Sequence, residues 1–252
     1  MITRLLQLLA FSLFSNLALA AGGGVVVDHV DIDLEDKVSL QRGAALFTNY
    51  CMGCHSMKYA RYERVATDLG IPPDLYMENL VFADAKIGEL MQIALSPEQA
   101  SSWFGAPPPD LTLEARLRGP DWLYSYMRAF YKDDSRPYGV NNTIFPDVGM
   151  PHVLEGLQGL CADKPGFGVK KQFDTLTGEL VGGSGCQEYA QKGSLSASEY
   201  DRAIKDLVGF MVYMGEPSKL ESHRIGRNVL LFLAFLFIFV YFLNKEYWRG
   251  IH

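Results

Sequence analysis

The stretch Cys51-Met52-Gly53-Cys54-His55 carries the strongest chemical signal in this sequence. C-x-x-C-H is the pattern at which haem is attached covalently to a protein. Two thiols one helical turn apart can add to the two vinyl groups of one haem, and the imidazole that follows can bind the iron. C-x-x-C also occurs in zinc sites, which need a second ligand pair, and in redox dithiols, which lie in a βαβ unit. Neither context is evident here, so the motif predicts thioethers at Cys51 and Cys54 and His55 as proximal iron ligand.

Length and composition limit the class of protein further. The 252 residues are enough for one large domain or two small ones with a sizeable core. The sequence has one C-x-x-C-H, which predicts a monohaem c-type cytochrome with one covalent haem c. The formal net charge is −6 and there is no run of Lys and Arg. Nucleic acid is therefore not an expected partner.

The N-terminal segment has the pattern of an export signal. Residues 1–20 contain the basic Arg4, an apolar run from Leu5 to Phe14, and small residues before Ala21. Arg-rich transit-peptide character is absent. The pattern predicts a cleavable signal peptide at residues 1–20, with an uncleaved anchor as the alternative.

The C-terminal segment is typical of a membrane span. Val229 to Leu243 is apolar except for Tyr241. The run is short of the roughly 20 residues that a bilayer needs. Arg227 and Lys245 can snorkel at its two ends, and the aromatic residues after Lys245 suit the interface. The sequence therefore predicts one transmembrane helix at residues 226–244.

The two signals together predict an orientation. Export places residues 21–225 outside as a periplasmic haem domain of a bacterial inner-membrane protein, and leaves residues 245–252 as a cytoplasmic tail. Subtracting the charges of the signal, the anchor and the tail from −6 leaves −9 on the exported domain. That charge favours a basic soluble partner. The alternative is that it only keeps the domain soluble.

Two helices are expected to frame the haem motif. The first begins near Ser39 as N-cap and runs into Cys51, and the second spans residues 198–214. Gly43 lies on the apolar face of the first helix. Glycine inside a helix costs about 1 kcal/mol relative to alanine, so Gly43 predicts a close crossing of the two helices.

The distal iron ligand must come from a stiff loop on the other side of the haem. Of nine methionines, Met150 lies in a loop punctuated by proline and glycine, from Phe145 to Pro151. Pro151 restricts the backbone of that loop. Met150 is therefore the predicted distal ligand, and His152 is the alternative.

Cys161 and Cys186 are the cysteines that remain after haem attachment. Covalent haem is assembled outside the bacterial cytoplasm, where disulfides persist. We expect the pair to form a disulfide. Two separate buried thiols are the alternative.

Several motifs resemble the cytochrome c1 family, the haem subunit of ubiquinol–cytochrome c reductase. They are the haem motif followed by Ser56, Lys58-Tyr59 and Arg61-Tyr62; Pro108 to Thr112; Ala115-Arg116; Asn142 to Pro146; Met150-Pro151; Asp206 to Val208; and Glu216-Pro217. The anchor follows them in the expected order. One departure is Leu117-Arg118-Gly119-Pro120, where the family usually has His-Gly-Gly after Ala-Arg.

The resemblance implies a mostly α, class I-type cytochrome c domain with long loops, held by one C-terminal transmembrane helix. It strengthens the assignment of Met150. It implies that the proline run ending in Pro109 lies against the haem and that Arg116, with Arg118 as rival, reaches a propionate. The implied function is electron transfer from the Rieske iron–sulfur protein to a soluble periplasmic c-type cytochrome, beside cytochrome b in the membrane.

Two other classes of function stay open at this point. A free-standing anchored cytochrome could deliver electrons to a terminal oxidase without quinol chemistry nearby. A haem sensor or haem enzyme would need an exchangeable distal ligand. Association with cytochrome b separates the first class from the family, and carbon monoxide binding separates the second.

Overall fold

The computed structural model describes residues 25–168, 172–173, 180–181 and 184–250. The predicted signal peptide and the last two residues of the predicted tail lie outside them. The helices are α1 Lys37–Tyr50, α2 Tyr62–Leu69, α3 Pro73–Leu80, α4 Pro97–Phe104, α5 Glu114–Arg118, α6 Pro120–Tyr126, α7 Glu155–Gln158, α8 Ala197–Gly215 and α9 Lys219–Tyr247. The strands are β1 Met57–Arg61, β2 Leu90–Met91, β3 Phe130–Lys132, β4 Val140–Asn142, β5 Gly159–Cys161, β6 Gln172–Phe173, β7 Leu180–Val181 and β8 Tyr189–Lys192.

The crossing of α1 and α8 organises the core. A Cβ atom on Gly43 would overlap the backbone carbonyl of Asp206 and lie 2.7 Å from Cβ of Phe210. Only glycine allows the two helices to approach this closely, so the prediction for Gly43 is confirmed. The start of α1 differs from the prediction. Asp36 is the N-cap and accepts a hydrogen bond from the backbone N–H of Ser39 at 3.0 Å.

Ser39 contributes instead to the helix crossing. Its hydroxyl donates to Asp206 Oδ1 at 2.5 Å, and Arg42 donates to the same carboxylate from Nε at 2.6 Å and Nη2 at 3.0 Å. Asp206 is 7% exposed. The buried carboxylate is thus satisfied by two residues of α1, which fixes the register of the crossing.

The mostly helical fold is confirmed, with a small sheet that the sequence did not predict. Its strand order is β4-β3-β5-β8, in which β3 and β5 are parallel and the other neighbours antiparallel. Each of these strands has three or four residues. Segments this short are too brief to show the alternating pattern by which strands are recognised.

Helix α9 extends the chain away from the core. It has 29 residues with a mean hydropathy of 2.1 in its most apolar part, and none of that part is buried against the rest of the protein. Among the described residues it is the one helix long and apolar enough to cross a membrane. The predicted transmembrane helix is therefore confirmed, although the helix begins at Lys219, before the predicted span.

A buried arginine joins the N-terminal segment to the core. The side chain of Arg128 is 8% exposed and forms ion pairs with Asp28 at 2.9 Å and Asp201 at 2.7 Å. Asp28 also accepts the backbone N–H of Gly168 at 2.9 Å. One carboxylate therefore connects the segment before α1 to the loop that follows Cys161.

Candidate functional site

The C-x-x-C-H motif forms a tight turn at the end of α1. The backbone N–H of Cys51 donates to Phe47 at 2.8 Å, and those of Cys54 and His55 both donate to the carbonyl of Cys51, at 3.1 and 2.9 Å. This turn brings both sulfurs and the imidazole to the wall of one cavity. Cys51 and Cys54 are not paired with each other. Both thiols are therefore free to form thioethers.

The environment of Cys51 does not suit thiolate chemistry. Burial, followed by the neighbouring Cys54, raises the pKa of Cys51 to about 12. Redox dithiols and zinc sites use the thiolate form, which this environment disfavours. No group of three or more potential metal-binding His, Cys, Asp or Glu side chains occurs in the part of the chain that the structure covers. The raised pKa of Cys51 thus argues against the redox-dithiol and zinc-thiolate alternatives to haem attachment.

His55 is oriented by the proline run. Its Nδ1 lies 2.7 Å from the carbonyl oxygen of Pro109, which makes Nδ1 the donor and leaves Nε2 free to bind a metal. Burial lowers the pKa of His55, and the Pro109 carbonyl, Asp110 and Glu114 partly oppose this effect. The imidazole is therefore neutral near pH 7, as a metal ligand must be.

The cavity has the size and lining of a cofactor site. Its volume is about 420 Å³, within the range of ligand pockets. Apolar side chains line most of it, including Pro107, Pro108, Pro109, Leu111, Trp122, Leu123, Val148, Val153 and Met211. Cys51, Cys54, His55 and Met150 face the same space. Two thiols, a neutral imidazole and a thioether in an apolar cavity fit haem c.

Asparagine side chains hold the loop that carries Met150. Asn142 Oδ1 accepts the N–H groups of Ile144 at 2.9 Å and Phe145 at 3.1 Å, and Asn141 Oδ1 accepts that of Asp147 at 2.9 Å. Asp147 has a positive φ of 61°. Arg136 fixes this residue by donating to its carbonyl at 2.8 Å. The loop is therefore stiffer than proline alone would make it.

Sequence reasoning missed the roles of Arg136 and Asn141. The consecutive asparagines at 141 and 142, directly before a proline-containing loop, were the available signal. Nothing in the sequence indicates that Arg136 reaches the loop.

His152, the alternative distal ligand, lies outside the cavity lining. Its ring stacks on Phe130 with centroids 4.7 Å apart, and its Nε2 is 3.2 Å from the carbonyl oxygen of Gly159. Burial lowers the pKa of His152 to about 4. The ring is therefore a neutral component of the core, and the geometry favours Met150.

The two arginines predicted as possible propionate contacts, Arg116 and Arg118, lie in different surroundings. Arg116 does not line the cavity, and its Nη1 is 3.6 Å from Glu216. Arg118 lines the cavity and places its guanidinium over Trp122, 4.8 Å from the ring centroid. Arg116, the expected propionate contact, thus points to the junction of α8 and α9, whereas Arg118 lies at the cavity.

The structure joins Cys161 to Cys186 through a disulfide with a Cα–Cα distance of 5.6 Å. Cys161 is fully buried in β5, which pairs with β3 at Tyr131. The bridge therefore attaches the loop after β5 to the sheet beside the distal loop.

We expect the double variant Cys161→Ala with Cys186→Ala to lower the free energy of unfolding by up to about 3.5 kcal/mol, the chain-entropy value for a loop of this length. It should also weaken the predicted binding of Met150 to the haem iron, because the sheet behind the distal loop loses a tether. Urea unfolding and carbon monoxide binding measure the two effects. Alkylation without reductant provides the control, and two alkylated cysteines in the native protein would contradict the bridge.

Comparison with known proteins supports the haem assignment. The sequence profile described as the Cytochrome C1 family matches residues 32–81. Cytochrome c1 of Allochromatium vinosum is 49% identical over 99% of this chain and 100% of its own length. The ammonia monooxygenase gamma subunit of Nitrosomonas europaea is 43% identical over 97% of both chains. Cytochrome c1 of Cereibacter sphaeroides is 24% identical over 96% of this chain and 93% of its own length. One relative is 49% identical along its entire length, and the cavity is lined by residues that would hold covalent haem. The chain therefore belongs to the cytochrome c1 family.

Proposed function

We propose that this chain passes electrons from the Rieske iron–sulfur protein to a soluble periplasmic c-type cytochrome. Membership of the family makes it the haem subunit of the quinol–cytochrome c reductase, the cytochrome bc1 complex. The observation that carries the proposal is the shared cavity of Cys51, Cys54, His55 and Met150. Those four residues would hold one haem c, with the two thiols for covalent attachment and the imidazole and thioether as donors to the iron.

Haem c supplies a one-electron couple when it is bound. Cys51 and Cys54 would anchor the cofactor, His55, whose Nδ1 donates to Pro109, would bind the iron through Nε2, and Met150 would provide a thioether. Methionine–histidine ligation raises the reduction potential, which suits an acceptor for a high-potential donor. The apolar lining limits the access of water to the site. The protein thus sets the potential and the exposure of the cofactor, and electron transfer needs no proton donor among these residues.

We assign the propionate contact to Arg118 instead of Arg116. Arg118 lines the cavity, and its guanidinium lies 4.8 Å from the ring centroid of Trp122 and 5.8 Å from that of Phe145, with Nε 3.5 Å from Glu114. A planar cation held in this way suits a carboxylate at the cavity edge.

Arg118→Gln should lower the haem reduction potential, because a nearby positive charge destabilises the ferric state more than the ferrous state. Arg116→Gln is the matched control and should leave the potential unchanged, since that side chain faces Glu216. Redox titration of the two purified variants compares them directly. A drop in the Arg116 variant alone would reverse the assignment.

We also propose the placement of the chain in the cell. Residues 1–20 are a cleaved signal, residues 21–225 form the periplasmic haem domain, residues 226–244 cross the inner membrane beside cytochrome b, and residues 245–252 are cytoplasmic. The charge of −9 on the exported domain favours a basic soluble electron acceptor. A second haem has no C-x-x-C-H motif to hold it.

Purification of the chain from its own membranes in mild detergent tests the function. We expect cytochrome b and an iron–sulfur subunit to co-purify and the haem to be reduced by added quinol in an inhibitor-sensitive reaction. Recovery of the chain with a terminal oxidase and without cytochrome b would contradict the proposal. Carbon monoxide binding by the unmodified ferrous protein would instead indicate an exchangeable distal ligand.

The name of the Nitrosomonas europaea relative denotes a different activity. An oxygenase site requires a metal with an open coordination position. What supports electron transfer in this chain is the cavity lined by Cys51, Cys54, His55 and Met150, the residues that would hold haem c.

A further inference from the structure

The side chain of Tyr126 is held in one position beside the loop that carries Met150. It is the last residue of α6 and is 8% exposed. Its ring stacks on Trp122 with centroids 4.9 Å apart and meets Phe130 edge-on at 5.4 Å. Its carbonyl oxygen accepts Nδ2 of Asn142 at 2.9 Å. Because the ring and the backbone are both held, the position of the hydroxyl is held as well.

That hydroxyl donates to the sulfur of Met150, with an oxygen–sulfur distance of 3.3 Å. Both side chains line the haem cavity. A buried tyrosine hydroxyl normally finds a hydrogen-bond partner, and a thioether is a weak acceptor. The sulfur has two lone pairs, so accepting from the phenol leaves one available for iron.

We propose that Tyr126 is a positioning residue that orients the sulfur of Met150 toward the iron and tunes its donor strength through the hydroxyl–sulfur hydrogen bond. This inference rests on the proposed role of Met150 as distal ligand. The phenol draws electron density from the sulfur. Ferric iron, the stronger Lewis acid, loses more stabilisation than ferrous iron, so the hydrogen bond raises the reduction potential.

The same tyrosine also connects the ligand to its loop. Asn142, which donates to the Tyr126 carbonyl, accepts the backbone N–H groups of Ile144 and Phe145 through Oδ1. Both ends of the segment from 142 to 150 therefore contact Tyr126, one through its backbone and one through its hydroxyl. A residue that only filled space would need neither contact.

Tyr126→Phe in the full-length, haem-loaded protein tests the proposal, because it removes the hydroxyl and keeps the ring packing. We expect the haem to stay attached and low-spin while the sulfur-to-iron charge-transfer band shifts. The preference of the sulfur for ferrous over ferric iron should fall about fivefold, the effect of one ordinary hydrogen bond. At about 59 mV per factor of ten, that lowers the midpoint potential by about 40 mV. An unchanged band and potential would overturn the proposal.

Tyr124→Phe is the matched control, because Tyr124 is in the same helix but its ring lies over Arg128 at 4.3 Å. It should change neither readout, and a shift equal to that of Tyr126→Phe would overturn the proposal. Adding Tyr126→Phe to Met150→Leu should lower the potential no further than Met150→Leu alone. A further drop would show that the phenol acts on the haem without the sulfur, and would also overturn it.

Met150→Leu alone tests whether Met150 is the distal ligand, independently of the role of Tyr126. If it abolishes the charge-transfer band while Tyr126→Phe changes nothing, the Tyr126 proposal fails and the distal ligand stands. If it leaves the band intact, the ligand assignment fails and the role of Tyr126 fails with it.

Discussion

Met150→Leu should allow the ferrous haem to bind carbon monoxide, because the substitution removes the proposed distal ligand. Leucine keeps the apolar volume but has no lone pair, so one axial position opens. The reduction potential should fall by a sizeable fraction of the about 0.8 V that axial ligands span in haem proteins. Difference spectra with carbon monoxide and a redox titration measure both effects.

Met211→Leu provides the control for that experiment. Met211 also lines the cavity and is fully buried, but it lies in α8. A Met-to-Leu exchange in a core is close to volume-conserving and costs less than about 1.5 kcal/mol. The variant should therefore retain the native spectrum and potential. If it bound carbon monoxide while Met150→Leu did not, the ligand would come from α8 and the assignment of Met150 would be wrong.

Local chemistry explains why the haem motif could be predicted from sequence. C-x-x-C-H specifies thioether attachment and proximal ligation within five residues, and the structure gathers Cys51, Cys54 and His55 through one turn of backbone hydrogen bonds. The prediction of Met150 depended on its loop setting and on the resemblance. Its place in the cavity agrees with that prediction, and the spectroscopic experiments above remain its test.

Contacts distant in sequence account for what could not be predicted. Arg116 and Arg118 lie in the same short helix with similar charge and neighbours, and only the direction of α5 decides which guanidinium reaches the cavity. The hydrogen bond that His55 Nδ1 donates to the carbonyl oxygen of Pro109 spans 54 positions along the chain. The short strands of the sheet are likewise defined by their partners and not by their own pattern.

Gly43 was predictable because a helix-interior glycine has a known cost, and its position on an apolar face left few reasons for it other than a close approach. Gly43→Ala should destabilise the folded protein by about 2 kcal/mol. The helix propensity of alanine contributes about 1 kcal/mol in the opposite direction. Overpacking costs about 1–3 kcal/mol, and the upper part of that range applies here because the added Cβ overlaps the backbone of Asp206, which cannot rotate away.

The added Cβ of Gly43→Ala should displace α1 from α8. This displacement should also affect the haem, since α1 ends directly before the attachment site. Moving α1 away from α8 would lengthen the hydrogen bonds that Ser39 and Arg42 donate to Asp206. A buried carboxylate that loses its donors adds to the penalty. We therefore expect lower yield of haem-loaded protein as well as a lower urea midpoint for Gly43→Ala in detergent.

Gly209→Ala is the matched control, because Gly209 lies in α8 and faces α1, as the crossing residue Gly43 faces α8. A Cβ there would lie 3.6 Å from Ile32 and 3.7 Å from Leu40, which are ordinary van der Waals distances. That variant should be neutral or more stable by up to about 1 kcal/mol. Equal urea midpoints for the two variants would show that the crossing can relax around Gly43, and that the helices are not held at this distance by the glycine.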